Sequence, residues 1–521
     1  MTQEQLIRQT LTWLQAAGVA EACVAAGARN APLVAALADS PGLRIWPCFE
    51  ERSAGFFALG RIRASGRPVA VVTTSGTAAA ELLPAVIEAF YQGLALVVIT
   101  ADRPRECRGT GAPQAIEQVG LFGPYTEGAW DWAAEDDPLV RDDVVGSGPQ
   151  GPWHLNLCLR EPLNPVPGML WRPVSLPAAA SEFAVAEDLA QFLDPTLPTL
   201  VLAGGLTRAQ GAQAAEWMAR AGLPCVAECT ANLGGGKVAL VRGGEWALKN
   251  LKPQQVIRLG GVPGWRWWRD LDERAEVRVA HVSALPFSGM ARRTNQRVFD
   301  WSALRQELPR LVPVEGGDAF LERALRLEQL LEAFPRSEPA WARAVARQAA
   351  ADDPSDGLLF AGNSLPIREL SLVGVPETLE VLANRGANGI DGLVSTFLGA
   401  AAQRLAAWML VGDLSALYDL AGLFSLRHLT PGRRRIAVMN NGGGRIFSRV
   451  ASLRALPQET RELVENRHQT SFEGWAKMAG IAYLRWEDPA QWVALPGADC
   501  VIEIVPDEDQ TEAFWAAWDV D

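Results

Sequence analysis

The sequence lacks any long apolar run: no stretch of about 18 uncharged apolar residues, the length of a membrane-spanning helix, occurs among its 521 residues. It also lacks positive charge overall, with a formal net charge of −12 at pH 7, which argues against nucleic acid as the main partner. Residues 1–14 are polar with an amphipathic leucine pattern, unlike a signal peptide. We therefore expect a cytoplasmic protein without a membrane span.

Cysteine and histidine are scarce, at seven and four residues. Cys225 and Cys229 are closely spaced, but no second pair or histidine completes a zinc motif. The histidines form no pattern typical of a nucleophile or a metal ligand, so we expect them to be structural or on the surface. Hydrophobic residues make up 49% and charged residues 21% of the chain, as in globular proteins. The length predicts roughly two to four domains.

Apolar runs typical of buried strands alternate with helical stretches, which predicts parallel α/β sheets. These runs fall into three blocks, and we expect domains at 1–180, 185–345 and 346–521. Pro162–Ala180 is rich in proline and alanine and predicts a linker. The predicted helices are Ala78–Tyr91, Ala209–Ala221 and Ala319–Ala350, the last broken near Pro335. The predicted strands are Ala22–Ala25, Val69–Thr73, Leu94–Thr100, Thr199–Ala203, Val256–Leu259, Leu358–Ala361, Leu379–Leu382, Ala406–Val411, Ile436–Met439 and Val501–Val505.

Two polar segments each follow a predicted strand of the third block: Gly-Asp-Leu-Ser at 412–415 and Asn-Asn-Gly-Gly at 440–443. Taken singly, each is more often a turn or a helix cap. Asp413 and Asn441 are 28 residues apart, room for a strand–helix–strand crossover that brings both strand ends to one sheet edge. A carboxylate, an amide oxygen and backbone carbonyls suit Mg²⁺ held together with phosphates, and a helix starting near Ser415 would offer N–H groups to the anion.

Further polar groups follow predicted strands. Glu51 precedes an apolar helix, where an acid is also explained by the helix dipole. Ser75 lies in a Thr/Ser-rich junction that caps a helix or contacts a ligand. Several arginines also lie near predicted strand ends; singly each is more often a surface ion pair, but together they suit a substrate with more than one carboxylate. They are Arg29, Arg103, Arg266, Arg368 and Arg385.

The paired segments resemble the thiamine diphosphate motif, Gly-Asp-Gly followed some two dozen residues later by Asn-Asn, with Leu414 in place of the second glycine. The whole chain resembles the 2-succinyl-5-enolpyruvyl-6-hydroxy-3-cyclohexene-1-carboxylate synthase family, thiamine diphosphate enzymes of menaquinone biosynthesis in which this leucine is normal. The resemblance is carried by Glu-Arg-Ser-Ala-Gly-Phe-Phe-Ala-Leu-Gly at 51–60, Thr-Ser-Gly-Thr-Ala at 74–78, Thr-Ala-Asp-Arg-Pro at 100–104, Gly-Ala-Pro-Gln-Ala-Ile at 111–116, and the segments 384–392 and 412–415.

The resemblance implies a fold of three tandem doubly wound parallel-sheet α/β domains. The first domain would bind the pyrimidine of the cofactor, the second is the central domain, and the third would bind the diphosphate and Mg²⁺. It implies thiamine diphosphate-dependent decarboxylation of 2-oxoglutarate and 1,4-addition of the resulting succinyl carbanion to isochorismate. It also implies Mg²⁺, with Mn²⁺ as an alternative ion. Finally, it implies self-association, as a dimer or a tetramer, with the active site at the subunit interface.

The same resemblance assigns roles to individual residues. Glu51 activates the cofactor, Arg368 and Gln114 take part in catalysis, and Ile390 supports the bent form of the cofactor. The other implied cofactor-binding residues are Ser75, Gly412, Leu414, Ser415, Gly444 and Ile446. The implied substrate-binding residues are Arg29, Arg103, Gln114, Arg266, Ser364, Arg368, Arg385 and Phe447. The implied metal ligands are Asp413, the Gly443 carbonyl and Asn441, which is preferred to Asn440 because the carbonyl donor then falls on Gly443.

The chain departs from the family at Ala28, Pro113 and Trp265, where serine, asparagine and lysine are usual, so three polar contacts that the resemblance would assign to isochorismate are absent. Two other functions stay open. One is another thiamine diphosphate enzyme, such as a 2-oxoacid decarboxylase or an acetolactate-synthase-like carboligase; Leu414 argues against it. The other is an inactive, cofactor-binding homologue, against which stand the intact Glu51 and the intact metal-ligand set.

Overall fold

The structure, a computed structural model, describes residues 1–137, 149–172, 174, 188–234, 240–241, 244–489 and 494–519. These residues form three six-stranded sheets in which every strand pairing is parallel, so the predicted fold class is confirmed. No helix in these ranges is long and apolar enough to cross a membrane. The expected domain bounds remain a prediction, because the boundary at 180–185 and the end of the Pro162–Ala180 linker lie outside the described residues.

The chain divides into two compact units. Besides the N-terminal residues, the first unit contains Gly386–Arg404 and Leu417–Pro431. The helices of its N-terminal part are α1 (Gln3–Ala16), α2 (Ala31–Ala38), α3 (Glu51–Ser65), α4 (Thr77–Ala80) and α5 (Leu83–Gln92). Its sheet consists of β1 (Glu21–Val24), β2 (Arg44–Pro47), β3 (Val69–Thr73), β4 (Leu96–Asp102), β5 (Gly128–Trp132) and β6 (Trp153–Cys158). The order is β2-β1-β3-β4-β6-β5.

The strands β3 and β4 are buried along their whole length, which explains their continuous apolar sequence. The predicted helical stretch Ala78–Tyr91 consists of two helices in the structure, α4 and α5. Pro84 lies in the first turn of α5, where the missing N–H of proline is tolerated but would interrupt a continuous helix.

The second unit contains two sheets. The first of these consists of β7 (Pro198–Ala203), β8 (Cys225–Ala227), β9 (Gln255–Leu259), β10 (Arg278–Val282), β11 (Gln296–Phe299) and β12 (Val312–Pro313). Its order is β11-β10-β9-β7-β12, and β8 also pairs with β7. The helices around it are α6 (Leu189–Phe192), α7 (Arg208–Ala221), α8 (Gly244–Asn250) and α9 (Arg266–Asp270). Trp265, at the position where the family resemblance predicts lysine, is buried in the core of this sheet.

The other sheet of the second unit consists of β13 (Leu358–Ala361), β14 (Glu380–Leu382), β15 (Ala406–Gly412), β16 (Arg433–Met439), β17 (Ala482–Trp486) and β18 (Cys500–Ile504). Its order is β14-β13-β15-β16-β18-β17. The remaining helices of the chain are α10 (Gly317–Ala333), α11 (Glu338–Asp352), α12 (Leu365–Val373), α13 (Leu393–Ala400), α14 (Asp413–Tyr418), α15 (Ala451–Arg454), α16 (Gln458–Glu465), α17 (Glu473–Ala479) and α18 (Glu508–Trp518). The break between α10 and α11 contains Pro335, as predicted.

Helix α13 belongs to the first unit and packs closely on α3. A Cβ atom on Gly60 would lie 2.1 Å from the Thr396 carbonyl oxygen, and one on Gly399 would lie 2.1 Å from the Phe57 carbonyl oxygen. Only glycine allows the two backbones to approach this closely. This packing fixes the segment before α13, which carries Ile390, in the same unit as Glu51.

Candidate active site

The two segments singled out in the third sequence block lie at the same edge of its sheet. Gly412 of β15 is paired with Met439 of β16, so Asp413 and Asn441 follow neighbouring strand ends. Asp413 is 2% exposed. Its Oδ2 accepts a hydrogen bond from Gly443 N at 2.9 Å, and its Oδ1 accepts one from Leu414 N at 2.7 Å. The structure thus brings together Asp413 and the Asn-Asn-Gly-Gly loop.

The oxygens at this edge differ in how far the protein already uses them: both Asp413 oxygens accept backbone N–H groups, and the Gly443 carbonyl accepts one from Arg445 N at 2.8 Å. Asn441 Oδ1 is buried and has no hydrogen-bond partner among the described residues. Burial raises the pKa of the Asp413 carboxyl, against the N–H bonds of Gly443 and Leu414, and a bound cation would favour the ionised form. Gly443 has φ +138°, and a Cβ there would lie 2.7 Å from the Glu465 carbonyl oxygen. These residues fit a hard divalent ion with oxygen ligands.

His468 is a further neighbour that the sequence did not suggest. Its Nε2 atom lies 3.3 Å from Asp413 Oδ2, and its backbone N–H donates to the Gly442 carbonyl. It lies on a loop after α16 and not directly after a strand, so no strand-end pattern marks it. The expectation that this histidine is only structural therefore overlooked a contact with the candidate metal site.

Four of the predicted cofactor-binding residues, and the predicted substrate-binding residue Phe447, lie on the segments that follow these two strand ends. Leu414 and Ser415 form the first turn of α14, with the Ser415 side chain buried. Gly444 N donates to the Glu465 carbonyl at 2.6 Å, so this N–H is already used within the protein. Ile446 and Phe447 lie in the short 3₁₀ turn Arg445–Arg449, and Phe447 is exposed.

In the first unit, two adjacent acids at the start of α3 have different surroundings. Glu50 caps the helix, because its carboxylate accepts hydrogen bonds from Arg52 N and Ser53 N, both at 2.9 Å. Glu51 makes no side-chain hydrogen bond within the described residues and borders a cavity of about 570 Å³. Helix capping, the alternative explanation for these acids, therefore accounts for Glu50 and leaves Glu51 available to a ligand. The cavity is lined by Glu50, Glu51, Arg52, Thr74, Ser75, Thr77, Ala78, Glu81 and Gln114.

Gln114 reaches this cavity from an irregular loop. Its φ is +56°, in the left-handed region that non-glycine residues seldom occupy. Arg103 Nε donates to the Pro113 carbonyl at 2.7 Å, so this arginine holds the loop through a backbone group. Arg29 instead donates to the Leu159 carbonyl and pairs with Glu161 at 3.3 Å. Of the residues predicted in this unit, Glu51, Ser75 and Gln114 line the cavity, while Arg29 and Arg103 do not.

The turn before Ile390 is held by a buried acid, Glu88, that no sequence motif marks. The two oxygens of Glu88 accept hydrogen bonds from Gly386 N at 2.8 Å and Ala387 N at 2.7 Å. Asn388 has φ +60°. This arrangement fixes the backbone that presents Ile390.

Three of the predicted substrate residues cluster in the second unit. Arg368 donates to the Ser364 carbonyl at 2.6 Å, and Ser364 has φ +73°. Arg385 Nη1 reaches Asn363 Oδ1, next to Ser364, at 3.4 Å. Desolvation, then the neighbouring charge of Arg385, lowers the pKa of Arg368. The charge of Arg385 therefore acts on Arg368, and a group of two arginines suits an anionic ligand.

A carboxylate that sequence reasoning missed links this cluster to α9. Glu228 Oε1 accepts hydrogen bonds from Arg385 Nη2 at 3.2 Å and from Gly264 N at 2.8 Å. The segment after Gly264 leads to Arg266, whose side chain is 70% exposed and only 3.9 Å from Asp270. The side chain of Arg266 is thus only weakly held in place, unlike those of Arg368 and Arg385.

Comparison with known proteins gives consistent matches. The model of the thiamine pyrophosphate enzyme N-terminal TPP binding domain matches residues 5–121. A 2-succinyl-5-enolpyruvyl-6-hydroxy-3-cyclohexene-1-carboxylate synthase of Bdellovibrio bacteriovorus is 38% identical over 541 residues, covering 100% of this chain and 99% of the relative. The enzyme of the same name from Akkermansia muciniphila is 38% identical, with 95% of each chain covered. The one from Roseiflexus castenholzii is 35% identical, covering 91% of this chain and 90% of the relative.

Proposed function

The chain belongs to the 2-succinyl-5-enolpyruvyl-6-hydroxy-3-cyclohexene-1-carboxylate synthase family, and from this membership we propose how its residues share the work of the reaction. It is a thiamine diphosphate-dependent transferase of menaquinone biosynthesis. Its reaction is the decarboxylation of 2-oxoglutarate and the 1,4-addition of the succinyl unit to isochorismate, giving the product in the family name. The near-complete match to the Bdellovibrio bacteriovorus enzyme carries this assignment.

Asp413, Asn441 and the Gly443 carbonyl would hold Mg²⁺, or Mn²⁺ in its place, together with the diphosphate. The support is the buried, unpartnered Asn441 Oδ1 beside a buried carboxylate. Bound thiamine diphosphate supplies carbanion chemistry that no amino-acid side chain provides. Leu414, Ser415, Gly412, Gly444 and Ile446 would surround the diphosphate.

Glu51 would hold a proton at the pyrimidine ring nitrogen of the cofactor. The support is its position on a cavity wall without a side-chain partner in the described structure. Ser75 and Gln114 share that cavity and would contact the cofactor and the substrate, with Gln114 acting in catalysis. Ile390, on the turn fixed by Glu88, would support the bent cofactor.

The subunits would associate, as a dimer or a tetramer, so that the active site lies at their interface. An apolar surface next to Glu51 supports this: Phe49 is 64% exposed and packs on Phe424 with ring centroids 4.9 Å apart. Tyr418 and Leu420 of the same unit are also exposed. Clustered exposed apolar side chains are typical of interaction sites.

All seven cysteines are free, which supports a reducing compartment such as the cytoplasm.

The arginines would bind the carboxylates of the two substrates. Arg368, Arg385 and Ser364 already lie together and would hold 2-oxoglutarate, with Arg368 close to the reacting atoms. Arg29, Arg103, Arg266 and Phe447 would contribute to the isochorismate side. Trp265 lies in the core, so it cannot replace the usual lysine as a polar contact.

Arg368→Ala is expected to raise the KM for 2-oxoglutarate by about 10- to 100-fold, because a hydrogen bond to a charged group contributes roughly 1.5–3 kcal/mol. The variant should keep the melting temperature, since the side chain's hydrogen bond is to its own helix start. Steady-state kinetics with both substrates measure the effect. Lys249→Ala, which removes an exposed cation of the same unit, is the control. An unchanged KM in Arg368→Ala would mean that groups other than Arg368 bind the carboxylates of 2-oxoglutarate.

The reaction itself is tested by incubating the protein with thiamine diphosphate, Mg²⁺, 2-oxoglutarate and isochorismate and identifying the products by mass spectrometry. We expect CO₂ and the succinylated cyclohexene product in equal amounts. Release of CO₂ without the adduct would indicate a 2-oxoacid decarboxylase. Absence of turnover with cofactor bound would indicate an inactive homologue.

A further inference from the structure

We propose that Glu338 is a positioning residue for Asn441: its carboxylate accepts a hydrogen bond from the Asn441 amide and so turns the amide oxygen towards the metal. This inference rests on the proposed role of Asn441 as a metal ligand. Glu338 is the first residue of α11 and 103 residues from Asn441 in the chain. Neither the thiamine diphosphate motif nor any local pattern includes it.

The hydrogen bond determines which end of the amide faces the site. Asn441 Nδ2 donates to Glu338 Oε1 at 3.1 Å. Because the NH₂ group is the donor in this contact, the amide oxygen points away from Glu338. The oxygen is the buried atom without a partner at the candidate metal site. A flipped amide would present N–H groups to the cation instead of a ligand.

Glu338 is itself firmly held. The side chain of Ser337 caps α11, and Glu338 N donates to Thr511 Oγ1 at 3.1 Å. The residue is 3% exposed, which leaves the carboxylate little freedom to turn. These contacts make α11 a rigid support for the Asn441 amide.

One cation balances the charge of this buried region. Arg449 Nη2 lies 3.9 Å from Glu338 Oε2 and 3.4 Å from Glu369 Oε1. Glu369 is completely buried, and burial, followed by the proximity of Glu338, raises its pKa well above the usual range. Arg449 thus places a cation beside both carboxyl groups, while Glu338 Oε1 accepts the hydrogen bond from the Asn441 amide.

Removing the acceptor should weaken metal binding without removing a ligand. Groups that orient metal ligands typically change affinity by about 10- to 100-fold when mutated. We therefore expect Glu338→Ala to lower the affinity for Mn²⁺ by roughly this factor, measured as free Mn²⁺ by electron paramagnetic resonance with thiamine diphosphate present. Glu338→Gln should stay within about 3-fold of the wild type, since its amide oxygen still accepts a hydrogen bond. Glu338→Met provides a volume-matched variant if the alanine variant does not fold.

The control is Asp352→Ala, at the other end of α11. Asp352 binds Arg433 at 3.2 Å and accepts a hydrogen bond from Trp408 at 3.1 Å. Its loss should lower the melting temperature but leave Mn²⁺ affinity unchanged, which separates a general loss of stability from a local effect on the amide.

Asn441→Ala distinguishes failure of this inference from failure of the proposed metal site. Weak Mn²⁺ binding in both Asn441→Ala and Glu338→Ala, with recovery in Glu338→Gln, supports the positioning role. Wild-type affinity in Glu338→Ala or Glu338→Met, with weak binding in Asn441→Ala, overturns it and leaves the metal site standing. Wild-type affinity in Asn441→Ala removes the metal site and the inference together.

Discussion

Glu51→Gln is expected to lower kcat by about 10²- to 10⁴-fold, the range lost when a positioned acid–base group is removed. Glutamine keeps the shape of the side chain but cannot hold or release the proton at the pyrimidine nitrogen. Glu50 cannot take over, because its carboxylate is bound to Arg52 N and Ser53 N. Product formation measures kcat, and calorimetric titration measures Mg²⁺-dependent binding of thiamine diphosphate, which should be nearly unchanged.

Glu50→Gln is the matched comparison, since it removes the adjacent charge from the same helix start. It should reduce stability by about 1 kcal/mol through the weakened cap and lower kcat far less than Glu51→Gln does. Full activity of Glu51→Gln would refute the role of Glu51. A loss of cofactor binding equal to the loss of kcat would make Glu51 a binding residue instead.

Asp413→Asn is expected to weaken Mg²⁺ binding by at least about 100-fold and to lower activity at limiting Mg²⁺ accordingly, because the site loses its carboxylate charge. The fold should tolerate the change. The amide oxygen of asparagine can still accept the hydrogen bond from Gly443 N. The substitution also removes a buried negative charge, which burial disfavours, as the raised pKa of the Asp413 carboxyl indicates. Titration of Mg²⁺ by calorimetry and the Mg²⁺ dependence of product formation measure the two effects.

Asp419→Asn is the control for Asp413→Asn. Asp419 is also completely buried, and burial raises the pKa of its carboxyl to about 6. It binds Ser395 N and Ser395 Oγ at 2.7 and 2.9 Å and has no part in the proposed site. The Mg²⁺ affinity of the Asp419→Asn variant should equal that of the wild type. If Asp413→Asn and Asp419→Asn bound Mg²⁺ equally well, the metal would have to lie elsewhere.

Strands with continuous apolar sequences were predictable. β3 and β15, for example, are continuous apolar runs, and the structure has them at or within one residue of the predicted bounds. Strands with mixed sequences were missed, among them β2 with Arg44 and β10 with Arg278 and His281. Strand pattern alone does not identify such segments, because neighbouring strands and covering helices decide their burial.

The candidate site divides in a similar way. Asp413 and Asn441 could be selected because each directly follows a recognisable strand, and parallel topology then places them at one edge. Glu338, Glu228 and His468 could not be selected, because their partners are brought to them only by folding. Glu228, for instance, is 157 residues from Arg385. Long-range contacts between single side chains leave no periodic or local signal in a sequence.

The close packing of α13 on α3 through Gly60 and Gly399 also limits which segments of the gene can be exchanged by recombination. The compact unit that carries Glu51 is discontinuous, since Gly386–Arg404 and Leu417–Pro431 belong to it. A recombination event near residue 180 that joined an unrelated C-terminal part would leave Gly60 facing a helix without the matching Gly399. The parts of the gene that encode α3 and α13 therefore have to evolve together. Exchange of one part alone is disfavoured, because the backbones of the two helices would no longer pack against each other.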